Sequence, residues 1–117
     1  MLFVCYPKCS TCKKAMNWLD ERNIEFDQRH IAEDNPTIEE LRLWHRMSDL
    51  PLKRFFNTSG MLYRELGLKD KLPTMTEEEM YELLASDGML VKRPLLVLDD
   101  TVLVGFKEAE WQAELSK

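Results

Sequence analysis

Apolar positions along the chain change period several times, and each change marks an element. Leu2-Phe3-Val4-Cys5-Tyr6 is a continuous run of apolar, β-prone residues that Pro7 ends, which predicts a buried strand. From Lys13 to Arg22, Ala15, Met16, Trp18 and Leu19 recur at helical spacing and predict a helix with one buried face. Ile24, Phe26 and His30-Ile31, set among polar residues, predict a second strand over 24–31, so that the first third reads as a βαβ unit. Thr37-Ile38-Glu39-Glu40 has the spacing of a capping box, in which the Thr hydroxyl and the Glu carboxylate satisfy the first free amides of a helix. That helix should run to about Met47 with Leu41 and Trp44 inward. Short helical pieces over 51–68 are interrupted at Asn57-Thr58-Ser59-Gly60 and at Gly67, and Thr76-Glu77-Glu78-Glu79 caps a further helix ending near Gly88. Leu95–Leu98 and Thr101–Val104 flank Asp99-Asp100 as an antiparallel hairpin. Lys107–Leu115 closes the chain as a helix with Ala109, Trp111 and Leu115 as packing positions.

The order is βα, β, a helical block, ββ, α. It predicts an α/β, thioredoxin-like three-layer fold with a mixed sheet and an inserted helical subdomain: one domain over 1–117, with the insertion at about 36–90. A length of 117 residues suits one core, and 44% hydrophobic with 32% charged residues is ordinary for a globular chain. No apolar run approaches the roughly 18 residues of a membrane span, and Met1–Tyr6 enters the first strand without a basic leader, so a cytoplasmic monomer is expected. The net charge of −5 argues against direct nucleic-acid binding, which needs a basic face.

Three cysteines are too few and too odd in number for a disulfide framework, which leaves metal or redox roles. In Pro7-Lys8-Cys9-Ser10-Thr11-Cys12-Lys13-Lys14, two thiols three positions apart lie where strand hands over to helix. The unpaired amides and positive dipole end of that helix, with Lys8, Lys13 and Lys14, favour a Cys9 thiolate, making Cys9 the candidate nucleophile and Cys12 the resolving thiol. Lys8, Ser10 and Thr11 are the candidate substrate contacts beside them. Zinc is the competing reading, but Cys5, His30 and His45 do not complete a ligand set at recognised spacing. An inert pair is the third. Cys5 and both histidines are read as structural residues, and Glu77-Glu78-Glu79 and Asp99-Asp100 as a helix start and a turn. Lys92-Arg93-Pro94 precedes a strand; Arg93 is placed to present its guanidinium to Cys9 or to a substrate oxyanion or carboxylate, the alternative being a plain surface arginine.

Taken together, Cys9-x-x-Cys12-Lys-Lys-Ala, Tyr63-Arg64-Glu65-Leu66-Gly67-Leu68, Lys92-Arg93-Pro94 and Val104-Gly105-Phe106 resemble the arsenate-reductase-like (ArsC/Spx) family of thioredoxin-fold proteins. The family includes glutaredoxin-coupled arsenate reductases and Spx-type transcription regulators. The resemblance covers nearly the whole chain and implies catalysis at Cys9, a cis peptide at Pro94, which joins the substrate contacts, and no metal or bound cofactor. It further implies an external thiol reductant, either glutathione with glutaredoxin or thioredoxin. The arsenate reductases hold oxyanion with three arginines and carry serine at the position of Cys12. Here Arg93 is retained, whereas Asn57 and Gly105 stand at the other two positions, with Asn57, Thr58, Ser59 and Arg64 as candidate substitutes. The alternative implied is a redox-sensing regulator that contacts the C-terminal domain of the RNA polymerase α subunit. Such regulators tend to run further past the position of Trp111 and usually have glycine where Leu50 stands.

Overall fold

A computed structural model describes residues 1–116; Lys117, the last residue of the expected domain, lies outside the described residues. Four strands, β1 (Leu2–Cys5), β2 (Asp27–His30), β3 (Leu95–Val97) and β4 (Val102–Val104), form one mixed sheet in the order β2-β1-β3-β4. β1 pairs in parallel with β2, from Leu2 opposite Asp27 to Cys5 opposite His30. It pairs antiparallel with β3, which in turn pairs antiparallel with β4. The parallel pair requires a crossover, and α1 (Ser10–Glu21) supplies it.

Period-2 alternation sorts the strand residues onto two faces. Phe3, Cys5, Leu96 and Leu103 face α1 through Cys12, Ala15, Trp18 and Leu19, and meet Trp111 of α6 (Glu108–Leu115). Trp111 is fully buried, lies edge-on to Phe3, Trp18 and Phe106, and donates its indole N–H to the Gly105 carbonyl at 3.1 Å. Val4, Leu95, Val102 and Val104 point the other way, into a second core with Leu41 and Trp44 of α2 (Ile38–Ser48) and Tyr81 and Leu84 of α5 (Glu77–Ser86). Helices on both faces of the sheet give the α/β, thioredoxin-like architecture.

Both capping boxes form: Thr37 with Glu40 opens α2 and Thr76 with Glu79 opens α5. Two boundaries and one packing position differ from expectation. Helix α1 begins at Ser10 rather than Lys13, because Cys9 itself is the N-cap. The second strand is confined to 27–30, because α1 is closed by the Ile24 amide on the Leu19 carbonyl and because β1 offers only four residues to pair with. In α6, Ala109 is exposed, and Trp111 is the fully buried anchor.

Between α2 and β3 the insertion runs through a 3-10 turn (Leu52–Phe55), α3 (Met61–Glu65), α4 (Leu68–Lys71), a second 3-10 turn (Leu72–Thr74), α5 and a third (Gly88–Leu90). Gly67, at φ 63°, makes the left-handed corner between α3 and α4 that a side chain would strain. The insertion is stitched to itself just before Arg93: Phe56 bridges Val91, the Lys92 amide donates to the Phe55 carbonyl at 2.7 Å, and the Asn57 amide donates to the Leu90 carbonyl at 2.8 Å. This seam carries Arg54 and Lys92 toward the start of α1.

Candidate active site

The loop from β1 to α1 is held by backbone bonds around Tyr6. The Cys9 amide donates to the Tyr6 carbonyl at 3.0 Å, and the Tyr6 amide donates to the Cys12 sulfur at 3.4 Å. Cys9 takes extended N-cap geometry (φ −84°, ψ 124°), which turns its half-buried thiol to the first turn of α1. Cys12, one turn on, packs into the core beneath the sheet with 1% of its surface exposed. Both thiols are free. Across the loop, Arg93 lies over the Tyr6 ring, 5.1 Å from its centroid, and donates to the Met89 carbonyl at 3.4 Å. The Arg93–Pro94 peptide is cis.

This arrangement drives the two thiols apart in acidity. Burial opposes ionisation of Cys9, but the Cys12 amide, the Cys12 thiol, the Arg93 guanidinium and the Thr11 amide outweigh it, and its pKa falls below the ordinary thiol value. No closed side-chain bond caps α1, so the amides act on the sulfur chiefly through their field. Cys12 is pushed up to about 12 by burial first, then by the Cys9 charge, against the lowering effect of the Tyr6 amide. Cys5 is fully buried and its thiol is also pushed up, chiefly by burial, as suits a core residue.

Beside Arg93 opens a cleft of about 240 Å³ lined by Thr11, Arg54, Lys92, Arg93 and Lys107 with the Val104-Gly105-Phe106 segment. Its charged lining is entirely basic. Four cations therefore line a cleft that reaches Thr11, in the turn between the two thiols.

A family model described as "ArsC family" matches residues 5–114. The chain belongs to the ArsC family. Over 112 residues it is 55% identical to the uncharacterized protein YusI of Bacillus subtilis, covering 96% of this chain and 95% of that one. It is 31% identical to the regulatory protein MgsR of the same organism, covering 94% and 86%. Among solved structures it is similar to an ArsC family related protein of Bacteroides fragilis (61% identity, TM-score 0.94, 96% and 94% covered). It is also similar to an arsenate reductase of Vibrio cholerae (25% identity, TM-score 0.81, 97% of each chain).

Within this ArsC-family chain, the residues expected from sequence fall into two groups. Cys9, Cys12, Thr11 and Arg93 converge at the start of α1 or on the cleft beside it, and Pro94 follows Arg93 through the cis peptide. Ser10 opens α1 as an exposed first-turn residue. Lys8, Lys13 and Lys14 are exposed, and the leading influences on Cys9 are local amides, Cys12 and Arg93 rather than these lysines. Asn57 is nearly buried and accepts from the Ser59 hydroxyl, and Arg64 donates to the Ser59 carbonyl, so both hold their own loop. The cations that stand with Arg93 are instead Arg54, Lys92 and Lys107. His30 accepts from the Ala32 and Glu33 amides, and His45 bonds the Tyr81 hydroxyl at 2.6 Å. Tyr6 escaped the sequence reading because its part is played largely by backbone groups. Its place at the end of β1, just before the loop, was the available signal.

Proposed function

We propose that this ArsC-family protein is a thiol–disulfide oxidoreductase in which Cys9 attacks and Cys12 resolves. The observation that carries the reading is the opposed acidity of two adjacent thiols at one helix start, one lowered and the other raised to about 12. The Cys9 thiolate attacks one sulfur of a substrate disulfide; a Cys9–sulfur bond forms, the substrate S–S bond breaks, and the departing half leaves as a thiolate that takes a proton from water. Cys9 then no longer carries the charge that opposed ionisation of Cys12, so Cys12 is more easily deprotonated. Its sulfur attacks that of Cys9, and the second substrate half leaves with the proton. The substrate gains two electrons and the protein holds a Cys9–Cys12 disulfide, which an external thiol reopens: glutathione, glutaredoxin or thioredoxin.

The reaction needs no metal or bound organic cofactor. Disulfides and oxidised sulfur fit the site better than arsenate, for which the Arg93 guanidinium alone remains of the three that the arsenate reductases use. The setting is a cytoplasmic monomer; no helix among the described residues is long and apolar enough to cross a membrane.

Mass spectrometry after incubation with a model disulfide tests the assignment. Cys12→Ser should accumulate a mixed disulfide on Cys9, and Cys9→Ser should lose turnover; full turnover in Cys9→Ser rejects the reading. Similarity to a regulatory protein supports a second reading, a redox-sensing regulator of the Spx type that binds the RNA polymerase α C-terminal domain. Leu50, half-buried against the core, stands where that type usually has glycine. Failure of the reduced and the oxidised protein alike to bind that domain would eliminate it.

A further inference from the structure

A second, larger groove of about 590 Å³ lies in the insertion and shares Arg54 and Lys92 with the cleft beside Arg93. Its floor is apolar, built from Phe56 and Tyr63, whose rings sit 6.5 Å apart, with Leu72 and Met80. Its charged lining is Lys53, Arg54, Lys69 and Lys92, with no carboxylate, in a chain whose net charge is −5. None of these four forms an ion pair with a carboxylate among the described residues. Cations left unpaired beside an apolar trough focus a positive field on whatever enters it.

We infer that this groove docks an acidic peptide segment, with an apolar side chain between its carboxylates, from the protein whose disulfide Cys9 attacks. The inference rests on the thiol-exchange reading and adds to it a substrate class. Charge complementarity argues for an acidic partner, and the shared Arg54 and Lys92 make the groove adjoin the cleft that Thr11 and Arg93 line, next to the thiol pair in the chain. The four cations come from three separate segments: the Leu52–Phe55 turn, α4 and the stretch before Arg93. Charges so distributed around an apolar floor match spaced carboxylates on a chain better than a single phosphate. The acidity of the molecule as a whole disfavours a nucleic-acid strand.

Two measurements test it on the full chain. In the first, a fluorescein-labelled, cysteine-free peptide of Glu and Asp interspersed with Phe and Leu is titrated by anisotropy against its counterpart with every acid replaced by Lys. The acidic peptide should bind at least about tenfold more tightly and weaken with added salt, and Lys53→Glu/Lys69→Glu should lose the preference. Equal affinity for the two peptides, or a preference that survives the double substitution, overturns the inference. Tighter binding of ATP or a short oligonucleotide than of the acidic peptide overturns it as well.

In the second, each peptide carries a cysteine as a mixed disulfide, and its reduction is followed beside that of neutral 4,4′-dithiodipyridine. The acidic peptide should react about tenfold faster than the basic one, with the dithiodipyridine rate unchanged in the double variant. Acid-selective binding without any exchange upholds the groove and rejects the thiol-exchange reading. Exchange without acid preference does the reverse.

Discussion

Tyr6 joins three parts of the site: its amide reaches the Cys12 sulfur, its carbonyl holds the Cys9 amide, and its ring supports Arg93. Tyr6→Leu keeps the two backbone bonds and removes the ring. The pH at which Cys9 reaches half its maximal rate with iodoacetamide should then move upward, and further still in Arg93→Met, which deletes a group that holds the thiol pKa down. Coincident profiles for wild type and Arg93→Met would show that the guanidinium does not act on Cys9. Cys12 makes a separate prediction about stability. Its folded-state pKa is raised from 9.0 to about 12, so folding favours the protonated thiol. That contribution is complete below about pH 9 and is lost as pH rises toward 12. Cys9, with its pKa lowered, has the opposite sign: its contribution is present above the ordinary thiol value and fades as pH falls. Urea midpoints should therefore drop more steeply between about pH 8.5 and 10.5 in wild type than in Cys12→Ser, which removes the raised group. At this scale the sequence singles out Cys9 and Cys12 by spacing and chemistry and leaves Arg93 open against a plain surface arginine; the structure brings the three side by side. The sequence is silent on Tyr6, since backbone groups leave no mark on residue type.

At the scale of elements, the features legible in advance are those settled within a few residues. Both capping boxes are of this kind, because Thr and Glu three positions apart close on each other whatever surrounds them. The extent of β2 is not, because the length of its partner β1 sets it. Thr76→Ala should cost about 1 kcal/mol of folding free energy, the usual loss for an N-cap hydroxyl. Glu40→Ala should cost more, about 2–3 kcal/mol, because hydrogen bonds to charged groups are the stronger ones. Glu40 completes the Thr37 cap and also receives both terminal nitrogens of Arg29, at 2.5 and 2.8 Å, on a side chain only 13% exposed. Gly88 packs directly against the backbone of Ile31, just past the end of β2. A Cβ there would sit 1.8 Å from the Ile31 carbonyl oxygen, so Gly88→Ala must displace backbone and should lower the urea midpoint more than Thr76→Ala does. A smaller effect than that of the cap would mean that the 88–90 turn yields easily.

Across the whole molecule, what the sequence could not convey is which distant segments meet. The pairing of 55–57 with 90–92 places Arg54 and Lys92 beside Arg93, and β4 with the start of α6 delivers Lys107 to the same cleft. The sequence resemblance sets Asn57 and Gly105 at the places of two oxyanion-binding arginines, yet the cleft gathers positive charge from other positions. Local pattern cannot report such a substitution, because it depends on a tertiary seam between residues more than 30 positions apart. It has a measurable consequence at Cys9. An anionic reagent should be drawn to the thiolate by the surrounding cations although the molecule as a whole is acidic, so the rate ratio of iodoacetate to iodoacetamide should exceed that of free cysteine. A gain of a few-fold is expected, since one charge pair near a surface contributes on the order of 1 kcal/mol or more. The excess should shrink as ionic strength rises from about 0.01 to 1 M, where screening shortens from roughly 30 to 3 Å. Arg54→Glu or Lys92→Glu should shrink the excess at low salt while leaving the iodoacetamide rate nearly unchanged. If the ratio falls with salt in the same way in wild type and in both variants, Arg54 and Lys92 do not reach the reacting sulfur, and anion attraction at this site rests on Arg93 and the helix start.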